Sequence, residues 1–315
     1  MDIRFFDPLA RAYRRMTKAL FRPFDIRKWF VMGFTAFLAG LMDCHGGNGG
    51  GGGRHWNRGD WDDVIYFPRH AQQWLVDHPQ WVLLIVLGLA LVLILIVVFT
   101  WVSSRGKFMF LDNVVHDRAQ VTKPWYEFRN EAGSLFLWRF TFGLLVLAIT
   151  VPYLVYCYSI LVSVYEAEWD VVALILPGIF MFLGLIAIFV LAQFLNLLVI
   201  DFVVPIMYKS RRTVLAAWGT FLPLFGKHLL SFIGYGIFIA LLEILIVLGI
   251  IALVVFTCCI GLIFIIIPYI GSVVLLPVSF TLRALSVEFL EQFGPEYQIF
   301  PVTEPASNST GLPAS

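Results

Sequence analysis

Charge is scarce in this chain. Only 14% of its 315 residues are Asp, Glu, Lys or Arg, and 60% are hydrophobic. A soluble domain usually carries about 25% charged and about 45–50% apolar residues, so this composition excludes an ordinary soluble protein. The net charge of +1 sets 22 basic against 21 acidic residues, and the mean hydropathy is +0.85. The chain is therefore predicted to be an integral membrane protein.

The signatures of soluble enzymes are also missing. The sequence has no Gly-x-x-x-x-Gly-Lys-Ser/Thr phosphate loop, no Gly-x-Ser-x-Gly, no His-Glu-x-x-His and no Cys-x-x-Cys. These motifs place phosphate cradles, nucleophiles or metal ligands, and without them we predict no catalysis, no cofactor and no bound metal. The basic residues adjoin apolar segments, so nucleic acid is not expected as a partner.

Cysteine is rare, with four residues in the whole chain. All four lie at the predicted outer ends of apolar segments, where an oxidising compartment would permit a disulfide, and the sequence does not select a pairing. They are Cys44, Cys157, Cys258 and Cys259.

Long apolar runs dominate what is present. A helix needs about 20 apolar residues to cross the hydrocarbon core, and five segments reach that length: residues 81–102, 135–156, 171–200, 229–256 and 258–280. A sixth segment, 29–42, is short but uncharged, and it can span if flanking residues extend it and the bilayer adapts. No small-residue cleavage site follows it, so we interpret it as a retained helix. The predicted fold is an all-α polytopic bundle with six transmembrane helices.

Basic residues predict the orientation of this bundle. Residues 1–28 contain eight Lys and Arg, 103–134 contain five and 201–228 contain four, against three in 43–80 and none in 157–170. Because Lys and Arg collect on the cytoplasmic side, both termini are predicted to be cytoplasmic in the inner membrane. The chain then divides into a basic amphipathic helix over 1–28, a six-span membrane domain over 29–300 with an outer Gly-rich loop over 43–80, and a flexible tail over 301–315.

The N-terminal segment has the pattern of a helix that lies in the membrane interface. Apolar residues from Phe5 to Leu20 recur at helical spacing, and cations occupy the other face. Such a helix buries its apolar side at the acyl boundary and places its cations among anionic headgroups. The alternative is a solvated helix that packs on the underside of the bundle. The predicted headgroup contacts, here and in the loop 201–228, are Arg11, Arg14, Arg15, Lys18, Arg22, Lys209, Arg211 and Arg212.

A repeated pattern leads into two of the segments. Residues 111–128 and 200–221 share Asp-x-Val-Val, then basic residues, then Trp-x-x-Phe, with four extra residues between Asp and Trp in the second copy. We interpret these as duplicated units, each with an incoming span, an amphipathic interfacial helix on the cytoplasmic side and an outgoing span. The N-terminal segment would be a degenerate third copy, although a chance resemblance is the alternative.

The stretch DFVVPIMYKSRRTVLAAWGTFLPLFGKH, followed by LLSFIGYGIFIALLEI, resembles the repeat of uncharacterised bacterial and archaeal polytopic membrane proteins classed as a domain of unknown function. The opening AYRRMTKALFRPFDIRKWFVMGFTAFL and the ending LRALSVEFLEQFGPEYQIFP are similar to the same group. That group is loosely similar to the membrane domain of glycerophosphoryl diester phosphodiesterases. The resemblance implies a helical membrane bundle and no known chemistry, because the chain has no room for the phosphodiesterase catalytic barrel.

Polar residues within apolar segments are the predicted functional candidates, since a charge at mid-membrane costs about 2.5–3.5 kcal/mol. Glu243 lies near the centre of 229–256, with Thr150 and Tyr153 at comparable depth as possible partners. At the inner end of 171–200, three polar residues share a helix face, and Arg139, at similar depth, is the expected counter-ion of the aspartate among them. They are Gln193, Asn196 and Asp201.

The glycine-rich stretch 43–63 allows three interpretations. A phosphate cradle is excluded, because the stretch lies on the predicted outer side and lacks the Lys-Ser/Thr pair. Its Cys, His and Asp residues can ligate a metal, but the intervening glycines give no fixed geometry. We favour a flexible tether whose flanking aromatic residues, from Trp56 to Trp74, settle on the outer interface.

Two functional hypotheses follow. The first is a non-catalytic membrane component: a scaffold, an accessory subunit or a lipid-organising protein. It would bind anionic lipid headgroups and associate with a membrane protein or with further copies of itself. The second is a transporter or permease that uses Glu243 together with Gln193, Asn196 and Asp201.

Overall fold

The computed structural model describes residues 4–43, 58–166, 171–257 and 267–301. Where a helix borders one of the gaps, the backbone of its residues nearest the gap is described but some of their side chains are not. All regular elements within these ranges are helical, which confirms the all-α class. The helices are α1 Phe6–Phe21, α2 Ile26–Gly40, α3 Arg58–Asp77, α4 Pro79–His116, α5 Thr122–Glu127, α6 Arg129–Glu166, α7 Val171–Leu198, α8 Val204–Ser210, α9 Val214–Lys227, α10 Leu229–Phe256, α11 Pro268–Val274 and α12 Leu276–Leu290. A π-helical turn, Val199–Val203, joins α7 to α8 without a break.

Four helices of the described chain are long and apolar enough to cross a membrane: α4, α6, α10 and the continuous helix formed by α7, the π turn and α8. They correspond to the predicted segments 81–102, 135–156, 171–200 and 229–256. The predicted span 29–42 lies in α2, which has only 15 residues. The predicted span 258–280 begins outside the described residues and continues as α11 and the start of α12. Six spans therefore stay a prediction.

The hydrophobic core lies at one end of the long helices, and we call this region the packed end. It is built from α1, α8, α9 and α12 together with the C-terminal end of α4 and the N-terminal ends of α6 and α10. Away from it, the long helices expose apolar side chains, such as Leu83 at 64% and Leu245 at 65%. Exposed apolar surface of this extent marks contact with a partner or with lipid.

Helix α2 lies antiparallel beside the last third of α4. At one end, Lys28 Nζ donates to Asp117 Oδ1 at 2.8 Å, and at the other, Ser103 Oγ donates to the Ala39 carbonyl at 2.8 Å. Helix α2 therefore covers about 21 Å of α4 and ends near Ser103. It runs beside residues 103–117.

The two copies of the sequence repeat have similar backbones. Helices α4 and α8 each end at a residue in the left-handed conformation, Asp117 with φ 51° and Arg211 with φ 53°. A short connection then leads to α5 or α9, and one residue later to the long helix α6 or α10. Because the same sequence of caps and helices recurs, the structure supports a duplication.

The Asp-x-Val-Val segments are not separate interfacial helices. In the first copy, Val114 and Val115 belong to the last turns of α4 and are buried. In the second copy, Val203 and Val204 are buried at the π turn. These segments pack inside the protein because their apolar side chains complete the core between the two repeats.

The structure does not describe Cys44, Cys258, Cys259 or most of the stretch 43–63. The permitted disulfide, the metal alternative and the tether interpretation of residues 44–57 therefore rest on residues outside the described ranges. Cys157 is buried on α6, and residues 58–77 of the predicted outer loop 43–80 form helix α3.

Candidate functional site

Helix α1 packs on α12, and two of its cations form ion pairs across that contact. Its apolar face, including Ala12, Met16 and Leu20, is buried in the core. Arg11 Nε and Arg15 Nε donate to the two carboxylate oxygens of Glu288, at 2.6 Å and 2.5 Å. The Glu288 side chain is only 3% exposed, so these charge-assisted bonds hold α1 in place. Two of the predicted headgroup contacts thus have a structural partner.

The remaining cations of α1 form a free stripe. Arg14, Lys18 and Arg22 are exposed and make no hydrogen bond or ion pair with any described residue. Their spacing of four residues places them on one side of the helix. Beside them, Phe6 and Tyr13 are 75% and 59% exposed. We call these three cations the α1 cationic stripe.

The predicted contacts near α8 are mostly engaged within the protein. Lys209 Nζ donates to the Glu296 carbonyl at 2.7 Å. Arg211 pairs with the Glu127 carboxylate, and its guanidinium lies 4.0 Å from the centre of the Phe128 ring. Arg212 alone is exposed without a partner among the described residues.

A buried charge network lies where α2, α4 and α6 meet. Lys107 is 1% exposed and donates to the carboxylate of Asp43. Arg139 Nη2 donates to the other Asp43 oxygen at 3.0 Å, and its Nη1 donates to Ser103 Oγ at 3.1 Å. The predicted pair between Arg139 and Asp201 is therefore wrong. Arg139 bonds instead to Asp43, because α2 ends at the depth of Arg139.

Asp201 lies on the π turn and has partners from two other helices. Its Oδ2 accepts a hydrogen bond from the Tyr235 hydroxyl at 2.9 Å. Arg283 Nη1 is 3.9 Å from Asp201 Oδ1 and donates to the Ile200 carbonyl at 2.8 Å. Isolated π turns within α-helices frequently occur at functional sites. Here the turn is fixed on two sides by Tyr235 and Arg283.

The other motif aspartate, Asp112, has an equivalent environment. Its carboxylate accepts a hydrogen bond from Tyr208 at 2.9 Å and two from the Nη2 of Arg118 at 3.0 Å. These hydrogen bonds raise the pKa of Arg118, which keeps the guanidinium charged. Both repeats therefore use their Asp to bind one Tyr hydroxyl and face one Arg. This explains the Asp-x-Val-Val motif as a packing device.

Glu243 lies within electrostatic range of Asp201. Tyr153, a suggested partner, instead donates to the Met181 carbonyl at 3.1 Å. Gln193 is exposed and Asn196 is half-buried, and neither amide forms a hydrogen bond with a described residue. Glu243 thus lies within electrostatic range of Asp201, and the two amides lie outside the hydrogen-bond network of the described residues.

Sequence reasoning missed Asp43 and Lys107, although Lys107 connects the two halves of the network. It lies within electrostatic range of both Asp43 and Arg283. A weak signal was present, because Lys107 is followed directly by the apolar run Phe108–Met109–Phe110–Leu111 on the same helix. No group of three or more His, Cys, Asp or Glu residues that could hold a metal occurs within the described ranges.

These features define an all-α protein with four helices long and apolar enough to cross a membrane, joined at one end by a packed core with buried charges. The chain belongs to the family of unknown function DUF7544, which matches residues 4–293. No curated protein and no solved structure matches it. Membership of an uncharacterised family is thereby confirmed, and the finer likeness to the phosphodiesterase membrane domain has no support from these comparisons.

Proposed function

We propose that this protein is a non-catalytic component of the inner membrane that organises anionic lipids or supports a membrane partner, with its packed end on the cytoplasmic side. The observation that carries the proposal is the α1 cationic stripe, Arg14, Lys18 and Arg22, which no described residue neutralises. Cations without an internal partner at the edge of an apolar bundle suit the headgroups of a negatively charged leaflet.

The position of the stripe supports this assignment. The ring of Phe6 lies 5.7 Å from that of Phe238, at the point where α10 leaves the packed end. Helix α10 exposes apolar side chains suited to lipid, including Leu230, Ile237 and Leu241. The exposed rings of Phe6 and Tyr13 on α1 would therefore enter the acyl boundary, and the α1 cationic stripe would lie among the headgroups. Each cation near an anionic surface contributes about 1 kcal/mol, so three give a substantial preference.

The triple variant Arg14→Gln, Lys18→Gln, Arg22→Gln tests the proposal. The protein is purified with its annular lipids from nanodiscs of mixed phosphatidylglycerol and phosphatidylcholine. We expect the ratio of phosphatidylglycerol to phosphatidylcholine around the variant to be about fivefold or more lower than around wild type, because three headgroup contacts disappear. Lipid analysis by mass spectrometry measures the ratio. The charge-conserving variant Arg14→Lys, Lys18→Arg, Arg22→Lys is the matched control and should keep the enrichment. Unchanged enrichment in the glutamine variant would refute the role of the stripe.

A second candidate function is transport, and the π turn favours it. Asp201 sits on that turn, and Glu243 is within its electrostatic range. Acidic residues grouped inside a membrane bundle serve as proton or ion relays in transporters. Asp201 also holds Tyr235 by a hydrogen bond, so transport would be a second role for a residue that already stabilises the fold.

The variant Glu243→Gln tests the transport candidate in liposomes that contain a pH-sensitive dye. If the protein conducts protons through this group, the variant should slow the decay of an imposed pH gradient by about tenfold or more, because the relay loses its titratable carboxyl. Glu296→Gln, which changes an exposed carboxylate at the packed end, is the control and should leave the rate unchanged. Equal rates for wild type, Glu243→Gln and protein-free liposomes would exclude proton transport.

A further inference from the structure

Arg105 is an arginine with unused hydrogen-bonding capacity at the end of an apolar segment. It lies on α4, three residues beyond the run 81–102. Its Nε is buried and has no hydrogen-bond partner. Within the described ranges, its terminal nitrogens also have no acceptor and no carboxylate pairs with it. A buried donor without a partner costs about 1–3 kcal/mol, so the structure supplies a reason to expect an external acceptor.

Two tryptophans hold the guanidinium in place. Its carbon lies 4.4 Å from the centre of the Trp101 ring and 4.8 Å from the centre of the Trp125 ring. The two rings meet edge to face, with centroids 5.8 Å apart. Cation–π contacts of this kind fix the orientation of an arginine without consuming its donors. The guanidinium is thus positioned, and its terminal nitrogens, rather than the enclosed Nε, are the donors left for an external acceptor.

The surroundings of Arg105 are positively charged. Arg129, the first residue of α6, lies within electrostatic range of Arg105. It forms no ion pair with a described residue. The nearby carboxylate of Glu127 is engaged by Arg211. Arg105 and Arg129 are therefore two cations within electrostatic range of each other that pair with no described carboxylate. We call this region the Arg105 site and define it by Trp101, Arg105, Trp125 and Arg129.

The Arg105 site also borders the apolar surface. Trp101 is 38% exposed and Phe99 is 42% exposed on the same part of α4. Tryptophan prefers the boundary between headgroups and acyl chains. A molecule with a negatively charged group and an apolar tail could place the group on Arg105 and the tail along Phe99.

We propose that the Arg105 site binds one phosphate group, and that the phosphate belongs to an anionic phospholipid of the leaflet at the packed end. Arginine presents its N–H groups as a planar fork that matches two phosphate oxygens, which favours a specific contact over diffuse attraction. The inference deepens the proposed function and rests on its placement of the packed end at anionic headgroups. It uses residues separate from the α1 cationic stripe.

Native mass spectrometry of delipidated protein, titrated with phosphatidylglycerol or phosphatidylcholine, tests the site. Wild type should bind one phosphatidylglycerol molecule more tightly than any further one. Arg105→Gln should raise the dissociation constant of that first molecule about tenfold or more, because charge-assisted hydrogen bonds are lost. Trp125→Leu, which keeps the charge and removes one flanking ring, should weaken it less. Arg27→Gln, which removes an exposed cation with no cation–π contact, is the matched control and should bind as wild type does. Equal binding by Arg105→Gln and wild type would overturn the proposal.

Inorganic phosphate separates the two sources of the ligand. Millimolar phosphate added to lipid-free protein in detergent should leave the thermal unfolding temperature unchanged if the site requires a lipid. The opposite result is that phosphate raises the unfolding temperature of wild type but not of Arg105→Gln, and that phosphatidylglycerol does not bind tightly. That result would support a phosphate site but would show that the phosphate does not come from a lipid.

The triple variant of the α1 cationic stripe distinguishes failure of this inference from failure of the proposed function. If the stripe variant keeps its bulk phosphatidylglycerol enrichment while Arg105→Gln loses one tight lipid, the Arg105 site stands and the stripe does not. If the stripe variant loses enrichment while Arg105→Gln binds normally, the proposed function stands and the Arg105 site falls.

Discussion

Replacing Asp43 with asparagine is expected to destabilise the packed end by about 3–5 kcal/mol, the usual cost of leaving a buried charge uncompensated. Asp43 accepts hydrogen bonds from both Lys107 and Arg139, on two different helices. Lys107 is 1% exposed, so water cannot replace the lost carboxylate. The asparagine would face two cations with one neutral oxygen. Thermal unfolding in detergent, followed by the loss of monodisperse protein on size-exclusion chromatography, measures the effect.

Lys107→Met is the informative counterpart to Asp43→Asn. It removes a buried cation but leaves Asp43 paired with Arg139 at 3.0 Å, so the remaining charges stay balanced. We expect a cost of about 1 kcal/mol or less, because a hydrophobic residue of similar length often replaces a buried charge without loss. The double variant should be more stable than Asp43→Asn alone, since one of the two unpaired cations is gone. Equal and additive losses in the two single variants would contradict this account.

Hydropathy predicted the long helices because an uninterrupted apolar run of about 20 residues has few other uses. The same criterion could not describe α2. Its sequence is apolar, but Met32, Thr35 and Ala39 are buried against protein. Composition alone does not distinguish lipid from protein as the neighbour of an apolar side chain. The length of α2 follows from its fit beside the end of α4.

The candidate site was predictable in part. Asp201 and Glu243 stood out because they interrupt apolar runs, and they lie within electrostatic range of each other. The partner of Arg139 was not predictable, because Asp43 lies 96 residues away in sequence and at the very end of another helix. Hydropathy assigned Asp43 and Lys107 to loops. The position along α4 at which α2 ends depends on how the two helices pack, and it cannot be predicted from the sequence of either helix alone.

The basic residues of α1 show the same limit. Arg11, Arg14, Arg15 and Lys18 are equivalent in composition and lie within two helical turns. The position of Glu288 on α12 divides them, since it engages Arg11 and Arg15 and leaves the other two free. The apolar face that the pattern assigned to the acyl boundary packs instead in the protein core, through Ala12, Met16 and Leu20. Only the tertiary structure separates cations that hold the fold from cations available to a ligand.

Gly106→Ala is expected to be severely destabilising, by about 3 kcal/mol or more, at the upper end of the cost of overpacking. A Cβ at Gly106 would lie 2.5 Å from the backbone nitrogen of Ala39 and 2.5 Å from the carbonyl carbon of Leu38. Both are backbone atoms, so no change of rotamer relieves the overlap. Helix α2 would have to move away from α4, which breaks the hydrogen bond from Ser103 Oγ to the Ala39 carbonyl. Thermal unfolding in detergent measures the loss.

Gly88→Ala is the matched control for Gly106→Ala, because it makes the same substitution on the same helix. A Cβ at Gly88 would meet nothing within 4 Å. Alanine favours a helix over glycine by about 1 kcal/mol, so this variant should be as stable as wild type or slightly more stable. The comparison tests whether α2 packs on α4 through small residues, as helices in membranes commonly do. Equal unfolding temperatures for the two variants would show that α2 does not depend on α4.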